Sequence, residues 1–208
     1  GARFVAHAEP YELLKLRMVN GSHSAIAYLG VMAGWATVDR AIGEPALRRF
    51  VEALMREEIE PTLAGRAGIL EDADLAAYRA RLIERFANPA LAHRTRQIAM
   101  DGSQKIPQRW LATVRDRLAR DESIERLALA VAAWLHFLRG IDEAGQRYPI
   151  DDPLAADLAA LGSDAHTLCG FAPVFGDLGH EPRFVAPVAR QLAALRTRGV
   201  QATLEALP

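Results

Sequence analysis

Cysteine is almost missing from this chain. Cys169 stands alone among 208 residues, which excludes an internal disulfide and points to a reducing compartment, with the thiol serving as a small buried hydrophobe. A surplus of either charge is missing too: 25 basic residues face 26 acidic ones for a net charge of −1, which removes the global electrostatic case for nucleic acid or an anionic membrane surface. Arg-rich stretches such as 115–126 are interleaved with acids and read as solvated faces. No run of about 18 uncharged apolar residues is present to span a bilayer. The opening residues show no signal-peptide pattern, so a cytoplasmic location is expected. Runs of β-branched residues between turn signals are nearly absent, which argues against a sheet. His93 and His136 have no partners at metal-ligand spacing, so both read as structural or surface residues and no metal is expected.

What is present is alanine, leucine and arginine, with half of the residues hydrophobic and apolar positions recurring at helical spacing almost throughout. A mostly α body is expected over residues 1–208, with no repeat, low-complexity tract or linker dividing it. The start at Gly1, with Phe4-Val5 resembling the end of a strand, reads as part of a longer polypeptide.

Apolar spacing predicts helices over 11–20 and 22–41, either two or one with an interruption at Gly21. The next runs from Glu44-Pro45 to about Ile59 and stops near Pro61, and 65–68 form a loop. Asp74 is expected to cap a helix ending at Asn88-Pro89, and a short helix should cover 92–100. Pro107 fits a first helical position, opening a helix through Arg120. Ser123 should cap the most apolar helix, 124–138, a candidate central element that ends at Gly140. After a polar connection over 142–153, short helices follow at 154–161 and 164–170. A longer one covers 182–198, and Gly199 separates it from a last segment. Trp35, Trp110 and Trp134 lie in helical apolar patterns and are expected to pack in the core.

The informative segment is Lys15-Leu16-Arg17-Met18-Val19-Asn20-Gly21-Ser22-His23-Ser24. It places a lysine, an amide and an imidazole at i, i+5 and i+8 within an apolar stretch. At about 100° per residue, Asn20 lies about 140° and His23 about 80° around from Lys15, so all three can face one cleft if the helix continues. In apolar surroundings the charged form of a lysine loses solvation, its pKa falls, and the neutral amine can take a proton from an alcohol. Asn20 can donate to an oxygen carrying developing charge, and His23 can hold a neighbouring hydroxyl. By spacing alone such residues are more often ordinary structure.

The string from Tyr11 to Gly30, YELLKLRMVNGSHSAIAYLG, resembles the signature that opens the C-terminal domain of the mannitol dehydrogenase family. A second block, RFANPA from Arg85 followed by HRTRQIAMDGSQKIPQR from His93, resembles the next block of that family. Further echoes at 132–134, 140–143, 151–154 and 174–176 extend the resemblance over essentially the whole chain.

The resemblance implies a multi-helical C-terminal domain like that of 6-phosphogluconate dehydrogenase-type enzymes. It implies NAD as cofactor, bound mainly by an N-terminal Rossmann domain that is absent from these residues and would be this chain's partner. It makes Lys15 the general acid/base, gives Asn20 and His23 the substrate oxygens, and puts Lys105 and Gln97 at the far end of a polyol or sugar acid. Within the family the second block looks most like D-mannonate oxidoreductases, with mannitol 2-dehydrogenases as the near alternative. A sugar-acid carboxylate would need a cation, for which Lys105, Arg94, Arg96 and Arg109 are candidates. No Gly-x-Gly-x-x-Gly turn is present to seat a pyrophosphate, so the chain alone should bind NAD poorly. The competing reading from another class is a non-catalytic helical module that binds a partner.

Overall fold

The computed structural model describes residues 8–64 and 72–207, and these are mostly helical. The strand-like pairings among them are two isolated bridges, Thr37 with Arg94 and Ile141 with Arg147. The expected mostly α architecture is therefore borne out, while the readings of Phe4-Val5 and of the 65–68 loop lie outside the described residues.

Residues 9–32 form one helix. It starts as an α-helix at Glu9–Leu14, passes through a π-helical segment at Lys15–Gly21, and returns to α over Ser22–Met32. Gly21 keeps helical dihedrals and interrupts nothing. Gly34, in the left-handed region at φ 77°, ends the run instead, and Val38–Gly43 is a separate helix. Every residue of Ser22–Met32 except His23 is buried, as expected of a helix that is apolar all round. Its main partner is the equally buried helix Glu125–Phe137, on whose other side lies the C-terminal helix Pro182–Glu205. The expected central helix thus shares the centre with the first one. Trp110 and Trp134 are fully buried, while Trp35 is half-buried at the edge of the core.

Several expected boundaries move, each for a local reason. Asp74 lies inside the first turn of Asp72–Phe86 and is not its cap. The helix expected over 92–100 shrinks to one turn, Thr95–Ile98, because Ala92 takes a left-handed conformation (φ 43°) and Thr95 Oγ1 donates to the Trp35 carbonyl at 2.9 Å. Pro107 opens no helix. It sits within a helix of residues 102–118, where the segment Pro107–Leu111 is π-helical. Proline offers no N–H to the carbonyl four residues back, and the ladder changes register at that residue. The start of this helix is held from the Asp151-Asp152-Pro153 segment, where Asp152 accepts from the Ser103 amide at 2.7 Å and from Ser103 Oγ at 2.6 Å.

Ser123 is a minor cap for the central helix, accepting from the Glu125 amide at 3.4 Å. The main acceptor comes from elsewhere. Glu58, 1% exposed, receives the Arg126 and Leu127 amides at 2.8 and 2.7 Å. Gly199 does break the C-terminal helix, at φ 79° and ψ 176°. Among the described residues no helix is long and apolar enough to cross a membrane.

Candidate active site

The π-helical segment alters the geometry expected of the Lys15 motif. A π-helix closes i→i+5 hydrogen bonds and so turns through a smaller angle per residue than an α-helix. Asn20 therefore lies closer in angle to Lys15 than the roughly 140° of an α-helix. The spacing of five that fits an α-helix poorly fits this segment well. Lys15, Asn20 and His23 line one cavity of about 190 Å³, together with Arg85, Asn88 and His93 from the second motif.

The two motifs meet because the backbone lets them. A Cβ on Gly30 would lie 2.9 Å from Thr95 Cγ2, so glycine permits the Thr95 turn to cross close over the first helix. That crossing, tied by the Thr95 hydroxyl and by the Thr95 amide donating to the Ala36 carbonyl at 3.1 Å, delivers His93 to the rim of the cavity. His93 is exposed, as expected of a surface residue, yet its ring centroid lies 5.8 Å from that of His23.

His23 is the most constrained group of the site. Its ring stacks on Phe86 at 5.2 Å with 18° between planes. Burial, aided by the nearby His93, Arg109 and Arg85, pushes its pKa down to about 4. The imidazole is neutral near pH 7, able to donate through one nitrogen and accept through the other, and its Nε2 has no protein partner among the described residues.

Lys15 departs from the expected apolar surroundings: it is exposed at the mouth of the cavity. The helix presents it on the face that no described element covers.

Lys105 and Gln97 do not line this cavity. Lys105 is half-buried and donates from Nζ to the Met100 carbonyl at 2.6 Å, with the Asp101 carboxylate at 3.7 Å. Burial first, and then the charge of Arg109, lower its pKa. Gln97 is exposed on the single turn Thr95–Ile98. Arg94 and Arg96 open onto an adjoining cleft of about 590 Å³ that shares Asp39 with the first cavity, and Arg96 also lies over the Tyr148 ring at 5.3 Å. Arg109 points inward, donating to the Asn20 carbonyl at 3.2 Å and to Ser24 Oγ at 2.6 Å. Among the described residues no group of three or more His, Cys, Asp or Glu side chains is placed to hold a metal ion.

Sequence reasoning passed over Arg85, Asn88 and His93 as site residues, although all three stand in the second motif. A compositional signal bears on the lysines instead. Of the 25 basic residues, 23 are arginine, and the two lysines are Lys15 and Lys105, each inside a motif. Arginine stays protonated in any ordinary setting, so a chain that uses it almost exclusively for surface charge marks its lysines as the cations able to exchange a proton.

Residues 7–196 match the family described as the mannitol dehydrogenase C-terminal domain. D-mannonate oxidoreductase of Escherichia coli is 44% identical over 214 residues, an overlap spanning 100% of this chain and 43% of that protein. Mannitol 2-dehydrogenase of Phaeosphaeria nodorum is 36% identical over 202 residues, 96% of this chain and 35% of that one. The structure of Pseudomonas fluorescens mannitol 2-dehydrogenase in a ternary complex with NAD and D-mannitol superposes with a TM-score of 0.90 at 35% identity, covering 99% of this chain and 42% of its own. The chain thus spans less than half the length of the relatives it matches.

Proposed function

Because the chain belongs to the mannitol dehydrogenase C-terminal domain family, we propose that it is the substrate-binding and catalytic part of a longer NAD-dependent oxidoreductase that interconverts D-mannonate and D-fructuronate. The observation that carries this reading is the convergence of Lys15, Asn20 and His23 on one cavity. Two further points favour a sugar acid over a polyol: the 44% identity to D-mannonate oxidoreductase against 36% to a mannitol 2-dehydrogenase, and the cation Arg85 on the cavity wall.

In this reading Lys15 takes the hydroxyl proton as the carbinol carbon loses its hydride, and returns it in the reverse direction. The Asn20 amide donates to the same oxygen as its negative charge grows. Neutral His23, braced on Phe86, holds the neighbouring hydroxyl. Lys105 and Gln97 are assigned to the far end of the substrate on their motif alone, and reaching it requires Lys105 to leave the Met100 carbonyl. NAD supplies the hydride acceptor, and its binding falls to the rest of the longer protein, since the described residues hold no strand, glycine turn and helix to seat a pyrophosphate. The cavity of about 190 Å³ lies below the usual ligand-pocket range of about 300–1,000 Å³. A facing domain over the mouth would enlarge the site and withdraw Lys15 from water.

The test is NADH oxidation by the full-length protein with D-fructuronate and D-fructose side by side. Preference for fructuronate, with Lys15→Ala cutting turnover by about 1,000-fold or more at unchanged NADH affinity, supports the proposal. Preference for fructose makes the protein a mannitol 2-dehydrogenase, the reading favoured by the 0.90 superposition on that enzyme. Activity with neither substrate turns attention to other sugar acids and pentitols, and to the reading as a helical binding module.

A further inference from the structure

We propose that Arg109 is a positioning residue that sets the register of the Lys15 motif, acting with Trp110 as a clamp across the end of its π-helical segment. This inference rests on the proposed oxidoreductase reading. The π-helical segment ends at Gly21, where the ladder returns from i→i+5 to i→i+4 bonding. That junction lies between Asn20 and His23. A shift there of about one residue would turn both side chains out of the cavity.

Side-chain donors from the facing helix meet the junction. Arg109 Nη1 reaches the Asn20 carbonyl at 3.2 Å and Ser24 Oγ at 2.6 Å, bridging the two residues that flank the junction and His23. Trp110 Nε1 donates to the Gly21 carbonyl at 3.1 Å. Trp110 and Ser24 are fully buried, which fixes both ends of the clamp. The donors themselves stand in the second π-helical segment, Pro107–Leu111, so the register change forced at Pro107 turns Arg109 and Trp110 toward the first helix together. A Cβ on Gly21 would meet the Arg109 carbonyl and Trp110 Nε1 at 3.4 Å each, an ordinary contact that shows how closely the two segments approach.

The chemistry of Arg109 fits this task better than substrate binding. It spends its donors on uncharged oxygens inside the protein, and burial lowers its pKa. Holding a half-buried guanidinium on a carbonyl and a hydroxyl is costly unless the placement serves another end.

The experiment uses the full-length protein with the substrate it turns over and Lys15→Ala as control. Arg109→Ala should lower kcat by about 100-fold, the loss expected from misplacing catalytic groups by about 1 Å, with the NADH dissociation constant unchanged. Millimolar guanidinium chloride should restore part of the loss while leaving wild type unaffected. Ser24→Ala, a gentler change, should lower kcat by about five- to tenfold, the worth of one internal hydrogen bond, and cause no further loss in the Arg109→Ala background. Amide hydrogen exchange over residues 19–25 should accelerate in both variants. Unchanged kcat in Ser24→Ala and Arg109→Ala with Lys15→Ala inactive overturns the clamp, and so does a loss that guanidinium fails to restore. If wild type turns over neither sugar, the proposed substrates fail, and unaltered exchange over 19–25 then overturns the clamp independently.

Discussion

Gly102→Ala tests how tightly the site's supporting helix is docked. Gly102 starts the helix of residues 102–118 that carries Lys105, Arg109 and Trp110. An ideal Cβ there would fall 2.2 Å from Trp134 Nε1, 2.8 Å from its Cδ1 and 2.8 Å from the Tyr28 hydroxyl. Both rings are 0% exposed, so neither has space to retreat. Overpacking of this kind costs about 1–3 kcal/mol, while replacing a helical glycine by alanine returns at most about 1 kcal/mol. The net expectation is a destabilisation of about 1–2 kcal/mol, which for a domain of this size lowers the melting temperature by about 2–8 °C. Gly43→Ala is the matched control: its Cβ meets nothing within 4 Å, so only the propensity gain of up to about 1 kcal/mol remains. Thermal melts of the three proteins at one pH decide the matter. A Gly102→Ala protein melting at or above wild type would refute the reasoning, because it would mean that the buried Trp134 ring yields at no cost.

His136 is 5% exposed within the central helix, and burial, followed by Arg139 and Arg196, pushes its pKa from 6.5 down to about 4. The folded state favours the neutral ring, so this group's stabilisation is complete above pH 6.5 and is lost as pH falls toward 4, by at most about 1.4 kcal/mol per pH unit. His136→Gln should flatten the decline of the urea midpoint over that window, and parallel profiles for the two proteins would count against it. His23→Ala in the full-length enzyme should chiefly weaken discrimination among hydroxyl configurations, since its neutral ring contributes hydrogen bonds and no charge. An unaltered ratio of kcat/KM across epimeric substrates would remove His23 from the site.

The elements most legible in the sequence were those whose signal is local. Apolar spacing located the central helix, Gly199 located the C-terminal break, and the short helix expected from residue 164 is present, with Asp164 as its cap accepting from the Thr167 amide at 2.8 Å. The misreadings share a non-local origin. Ser123 looked like the cap of the central helix, but the amides went to Glu58, 68 residues away from Arg126. Pro107 looked like a first helical residue because an interior proline ordinarily breaks a helix, and here it sits at the start of a π-helical register that accommodates it. A glycine in a stretch such as Asp101-Gly102-Ser103 ordinarily supplies unusual dihedrals to a turn. Yet it is Asp101 that takes φ 54°, and glycine is needed at 102 for the approach of Trp134.

The same distinction governs the site. Lys15, Asn20 and His23 were legible as chemistry because they stand as polar groups at set spacing within an apolar stretch that resembles a family signature. Their convergence depends on a register change that α-helical spacing misplaces, because a π-helix turns less per residue than an α-helix and brings a spacing of five nearer to one turn. The apolar setting expected of Lys15 was misjudged for a further reason: sequence neighbours report one side of a side chain, and the other side here is open. A lysine base needs that side covered to exchange its proton near neutral pH, and needs it uncovered to admit substrate. An exposed Lys15 above a rigidly braced His23 therefore fits a site whose fixed wall is this domain and whose desolvation comes from a facing domain.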